Sequence, residues 1–144
     1  MIGDSGHKSR PLPAPEDDLT AAFWDHCAKG ALFFQRCSKC ETWRHLPRPR
    51  CAKCGSKEWS WQPSTGRGTI FSWTITHQPL LRNFPEEVPY ASIVVELEEG
   101  VRMVSGLRGL KPSELKLDLP VEVVFEDAGD AMKLPFFRPR KVGA

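Results

Sequence analysis

The sequence predicts a mainly β protein with one N-terminal helix, a small cysteine ribbon and a five-stranded barrel. Three observations carry this. Two CxxC pairs, Cys37-Ser-Lys-Cys40 and Cys51-Ala-Lys-Cys54, stand ten residues apart. An amphipathic helical stripe precedes them, with Leu19, Phe23 and Cys27 at i, i+4 and i+8. Runs of alternating apolar and polar residues fill the chain from Gly66 onward.

Residues 1–15 read as a disordered arm, polar and punctuated by Gly3, Gly6, Pro11, Pro13 and Pro15, without the apolar core of a signal peptide. No apolar run approaches the ~18–20 residues that span a bilayer. A cytoplasmic protein with no membrane contact is the expectation. Residues 16–31 form the helical segment. Glu16, Asp17 and Asp18 suit the positive end of a helix dipole, and Gly30 is the stop. Trp24 lies off the centre of the stripe, so the apolar face is wide. Cys27, on that face, reads as a buried thiol.

Residues 32–65 hold the cysteine module. Leu32 to Arg36 is a short strand into the first CxxC, and Trp59-Ser60-Trp61 is a strand leading from the second. In a reducing compartment such spacing points to metal rather than disulfides. Each pair offers two sulfurs from one tight turn, and two turns complete a Cys₄ tetrahedron. Gly55 supplies the permissive backbone after the second pair. The expectation is one structural Zn²⁺ on Cys37, Cys40, Cys51 and Cys54, with rubredoxin-type iron as the rival. Four sulfurs leave no open position for a reacting water, so the metal holds structure.

Residues 66–140 are read as the barrel. Thr69, Phe71, Trp73 and Ile75 alternate with Ile70, Ser72, Thr74 and Thr76, and Phe71 and Trp73 are assigned to the core; Ala91, Ile93, Val95 and Leu97 form a second apolar row. Glu98-Glu99-Gly100 signals a hairpin into Val101–Ser105, and Val121–Phe125 and Met132–Phe137 supply two more strands. Five short antiparallel strands close most simply into a barrel of the OB type, which removes exposed edges. Residues 78–90 read as a long loop with Leu80, Leu81 and Phe84 at its tip. Residues 109–120 are a second connection with one helical turn near Ser113. The tail after Phe137 is basic and frayed.

Charge is uneven. Residues 36–67 carry eight Lys or Arg against two acidic residues, whereas residues 68–144 carry nine against eleven. The basic set (Arg36, Lys39, Arg44, Arg48, Arg50, Lys53, Lys57 and Arg67) has three readings. It offsets the charge of a zinc tetrathiolate, pairs with a phosphorylated ligand, or tracks nucleic acid. A net-negative barrel is the wrong sign for a polyanion groove. The four histidines, His7, His26, His45 and His77, are scattered, and nucleophile elbow, GxGxxG and P-loop motifs are absent. No catalytic residue is assigned.

In order along the chain stand Phe23-Trp24, Gly30-Ala31-Leu32, the first CxxC, Pro47-Arg48-Pro49 and the second CxxC with Gly55. Gly66-Arg67-Gly68-Thr69-Ile70-Phe71-Ser72, Pro89-Tyr90, Val95 to Gly100 and Phe137-Arg138-Pro139 follow. This series, over residues 16–140, resembles the DUF35 family of rubredoxin-like zinc ribbons joined to OB-folds. Glu41 departs from it, standing where family members often have glycine.

The resemblance implies a zinc-containing accessory subunit of a thiolase-fold acyl-CoA enzyme, of thiolase or steroid side-chain aldolase type. The partner would carry the catalytic residues in a heterotetramer, and this chain would stabilise it and help hold the acyl-CoA thioester. Arg48, Arg50 and Arg67 are then candidates for the CoA phosphates. Phe23, Trp24, Phe33, Phe34 and Trp43 are candidates for the partner interface, the alternative being that they pack helix, ribbon and barrel on one another. Two alternatives stand beside this: a stand-alone acyl-CoA carrier, and a nucleic-acid-binding zinc-ribbon and OB protein.

Overall fold

The computed structural model describes residues 12–78, 88–129 and 131–141. Most of the expected arm, and the tip of the 78–90 loop with Leu80, Leu81 and Phe84, lie outside the described residues.

Helix α1 runs Asp18–Ala28. Asp17 is its N-cap, with Oδ1 accepting from the Thr20 N–H at 2.7 Å. The helix ends earlier than residue 31 because Gly30, at φ +77°, turns the chain left-handed. The Ala31 N–H then reaches back to the His26 carbonyl and the Gly30 N–H to that of Cys27, which satisfies the last turn. Phe23 and Cys27 face inward and are buried, as the stripe requires.

The ribbon is a three-stranded antiparallel sheet in the order β2-β1-β3, built from β1 (Phe33–Cys37), β2 (Trp43–Arg44) and β3 (Trp59–Pro63). Phe33 pairs with Pro63 and Cys37 with Trp59, so the full length of β1 is in register with β3.

The second sheet has the order β6-β5-β4-β7-β8. Its strands are β4 (Arg67–Thr76), β5 (Tyr90–Leu97), β6 (Arg102–Gly106), β7 (Pro120–Gly129) and β8 (Met132–Pro139). A 3-10 turn at Pro112–Glu114 interrupts the β6–β7 connection, where one helical turn was expected. The sheet curls until its edge strands meet, but closure is slight. Among the described residues it consists of one parallel bridge, Leu107 to Phe137, with the Arg108 N–H donating to the Phe137 carbonyl at 2.8 Å and the Ser105 hydroxyl to the Pro135 carbonyl at 2.7 Å. The expected closed barrel is therefore an OB-fold sheet open along most of the β6–β8 seam.

The β5 row behaves as its alternation predicts, with Ala91, Ile93, Val95 and Leu97 buried. The β4 row does not. A bulge between Ile70 and Ser72 shifts the register against β5. It puts Ile70 in the core and turns Phe71 outward, where the ring is 43 % exposed under the Arg102 guanidinium at 3.7 Å. Trp73 keeps its place, packed against the core.

Helix, ribbon and barrel share one apolar core that includes Phe23, Leu32, Phe34, Ile70, Val121 and Phe137. The connection from β3 into β4 is tied to the β5–β6 hairpin. Ser64 Oγ donates to Glu99 at 2.6 Å, the Thr65 N–H donates to Glu99 at 3.0 Å, and Thr65 Oγ1 donates to Glu98 at 2.9 Å. Acidic residues that read as barrel surface thus fasten the two modules together.

Candidate functional site

Each CxxC turn is made by its backbone. The Cys37 N–H donates to the Thr42 carbonyl and the Glu41 N–H to that of Cys37; the Cys51 N–H donates to Ser56 and the Gly55 N–H to Cys51. The residue after each second cysteine is left-handed in both turns, Glu41 at φ +64° and Gly55 at φ +77°. Glycine takes that conformation freely, and a glutamate there carries strain. Arg36 holds it, with Nε donating to the Glu41 carbonyl at 3.1 Å and Nη2 to its carboxylate at 3.2 Å.

The two turns bring the four sulfurs of Cys37, Cys40, Cys51 and Cys54 within 4.8 Å of one another. Cys37 and Cys54 are 3.6 Å apart, and Cys40 and Cys51 3.5 Å. A Zn²⁺ with four sulfurs at ~2.3 Å requires sulfur–sulfur edges of roughly 3.8 Å, so the cluster fits one tetrahedral ion. Backbone N–H groups approach two of the sulfurs. The Cys40 N–H lies 3.5 Å from Cys37 Sγ and the Lys53 N–H 3.4 Å from Cys51 Sγ. The Thr42 hydroxyl beside Cys40, with the Thr42 backbone, lowers that thiol to about 6, and the Cys40 N–H lowers Cys37; at Cys54 the Ser56 N–H lowers the thiol, but burial and the three neighbouring sulfurs outweigh it and push it up to about 11. Cys27 lies outside the cluster, where burial pushes it up to about 12 and leaves it a core thiol.

Residues 41–50, between the two turns, cross from metal to core. Gln35, fully buried in β1, pins this loop: its Oε1 accepts from the Arg48 N–H at 2.7 Å and from Arg44 Nε at 3.0 Å, and its Nε2 donates to the Arg48 carbonyl at 3.0 Å. The loop inserts His45 between Phe23 and Phe34, with ring centroids at 5.0 and 5.2 Å. Burial pushes the imidazole down to about 4.

The aromatic candidates divide. Phe23 and Phe34 are buried within this chain. Trp24 stands edge-on to Phe23, Phe33 stacks on His26 at 4.1 Å, and Trp43 lies under Arg36; these three are half-buried. Leu46, 63 % exposed, and Val104, 70 % exposed, had no sequence signal. They border an apolar groove of about 590 Å³ between α1, the 45–48 loop, β6 and β8. The arginine candidates divide as well. Arg48 and Arg50 line a cleft between the ribbon and the β5–β6 hairpin, whereas Arg67 lines another with Arg140 and Lys141. Among the described residues no helix is long and apolar enough to cross a membrane.

Two family models match in chain order. The ChsH2 rubredoxin-like zinc ribbon domain covers residues 24–60, and the ChsH2 C-terminal OB-fold domain covers residues 61–126. The chain is 40 % identical over 131 residues to a probable enoyl-CoA hydratase alpha subunit of Thermomonospora curvata, using 90 % of this chain and 40 % of that protein. It is 37 % identical over 111 residues to the 3-oxo-4,17-pregnadiene-20-carboxyl-CoA hydratase alpha subunit of Mycobacterium tuberculosis, using 77 % of this chain and 35 % of the relative. It thus spans well under half the length of either relative. Among solved structures, the Ltp2-ChsH2(DUF35) aldolase superposes with a TM-score of 0.78 at 36 % identity, covering 88 % of this chain and 98 % of that one. With its ribbon, its four-sulfur cluster and its OB sheet, the chain belongs to the DUF35 family.

Proposed function

We propose that this chain is the zinc-containing accessory subunit of a thiolase-fold acyl-CoA enzyme, of thiolase or aldolase type. It stabilises a catalytic partner in a heterotetramer and helps hold the acyl-CoA thioester. The observation that carries this is the likeness to a chain of the Ltp2-ChsH2(DUF35) aldolase over 98 % of that chain's length. The half-buried Trp24, Phe33 and Trp43, with the exposed Leu46 and Val104, are the apolar side chains such an interface would use. Phe23 and Phe34 support that face from within. Arg48, Arg50 and Arg67 are the candidate contacts to CoA phosphates, in two separate clefts. The zinc clamps the ribbon and the bond-making residues belong to the partner.

Affinity purification of the tagged chain from its native host tests this. A thiolase-like protein should accompany it in a fixed ratio; a chain that runs alone, with no such protein, sinks the proposal. The apolar groove favours one second reading, a stand-alone acyl-CoA carrier. Saturable calorimetric binding of an acyl-CoA by the isolated chain, with no partner recovered, would select it.

A further inference from the structure

Between the ribbon and the β5–β6 hairpin lies a cleft of about 440 Å³. Arg44, Arg48 and Arg50 line it from the ribbon and Arg102 from the barrel; among the described residues no carboxylate lines it. Four guanidiniums around one concavity repel one another unless each has a counter-charge, and their internal contacts supply little. Arg102 Nε meets Glu96 at 3.1 Å while its guanidinium covers Phe71. Arg50 gives one donor to the Gly55 carbonyl at 3.2 Å. Arg44 holds Gln35 and the Arg48 carbonyl, yet its Nη1 is sealed from water with no acceptor. The exposed Arg48 guanidinium has no partner among the described residues.

We propose that this cleft is an anion site for a phosphoryl group, gripped by Arg48 from the ribbon and Arg102 from the barrel. A carboxylate presents two oxygens and one charge, enough for a single guanidinium fork. A phosphoryl or pyrophosphoryl group carries more charge and accepts from several forks at once, as this lining requires. Because the walls belong to different modules, the anion would tie ribbon to barrel. The site deepens the reading of Arg48 and Arg50 as phosphate contacts, adds Arg102 to them, and excludes Arg67. It rests on that reading only for the larger molecule that bears the phosphate.

The test is calorimetric titration of the zinc-loaded chain with inorganic pyrophosphate in low-chloride buffer, with Arg48→Ala, Arg102→Ala and Arg67→Ala alongside. Saturable binding is expected. Loss of Arg48 or Arg102 should weaken it about ten-fold or more, while Arg67→Ala leaves it unchanged. Arg48→Lys and Arg102→Lys guard against misfolding, since they keep the charge and should restore part of the affinity. Absence of saturable binding to the wild-type chain overturns the proposal, and so does dependence on Arg67 instead. Pyrophosphate binding by a chain that recruits no catalytic partner leaves this site standing and removes the accessory-subunit reading. Partner assembly without pyrophosphate binding does the reverse.

Discussion

His45→Phe should flatten the acid sensitivity of this fold. The folded chain keeps His45 neutral, because burial between Phe23 and Phe34 pushes it down to about 4. In the unfolded chain the imidazole takes up a proton at about pH 6.5. Between those values the unfolded state binds more protons, so stability rises with pH across the window. The contribution is whole above about pH 6.5 and is lost as the pH falls towards 4. Integrated from pH 8 to 5.5 the loss is about 1.4 kcal/mol, and it grows to about 3 kcal/mol at pH 4. Urea unfolding of wild type and His45→Phe at pH 8 and pH 5.5, with zinc in excess, reads the smaller figure as a difference of differences. Other titrations, including that of His26, whose value burial also lowers, cancel between the two proteins. Metal content is followed in parallel, since acid also protonates zinc thiolates. If the variant loses as much stability as wild type with its zinc still bound, His45 is not held neutral by burial and the reasoning fails.

Two further changes probe the metal and the sheet. Cys40→Ser should abolish stoichiometric zinc binding, and Co²⁺ loaded in place of zinc should lose the thiolate charge-transfer absorption of a tetrahedral four-sulfur site; a variant that retains one tightly held zinc refutes the assignment. Gly68→Ala should cost about 3 kcal/mol in urea unfolding, because a Cβ there would lie 2.3 Å from the Glu96 carbonyl oxygen. Gly100→Ala, at φ +94° with open space around it, should cost only the conformational term of about 1 kcal/mol; equal losses would show that the close approach of β4 to β5 is not the cause.

The parts legible in the sequence are those fixed by short-range spacing. Two CxxC turns ten residues apart leave little freedom in how four sulfurs meet, and they meet as expected. The strands followed from alternation, and Gly30 marked the helix stop, two residues beyond the last helical residue. Phe71 escaped because one inserted residue in β4 reverses inside and outside from that point, and alternation alone cannot register a bulge. Seam closure escaped for a different reason. It depends on how far β6 and β8 approach in space, which Phe136 against Gly106 and the single Leu107–Phe137 bridge decide. The basic residues around the cysteines formed one group in the sequence. Folding assigns Arg36 to Glu41 and Arg44 to Gln35, places Arg48 and Arg50 in the hairpin cleft, and sends Arg67 to another.

This partition gives the zinc a reach beyond its own ligands. Residues 41–50 are anchored at one end by Cys40 and at the other by Cys51, two sulfurs of the same cluster. Gln35 holds the middle of that segment through Arg44 and Arg48, and β1, which carries Gln35, ends at the ligand Cys37. Closing the sulfur cluster therefore fixes three things at once: the pocket that keeps His45 between Phe23 and Phe34, the exposed Leu46 beside the groove, and the direction from which Arg48 enters the hairpin cleft. A metal with a filled coordination shell does no chemistry itself. By holding one ten-residue segment it sets the apolar surface and the basic cleft together, so losing the metal should disturb both surfaces even though no ligand belongs to the groove or the cleft.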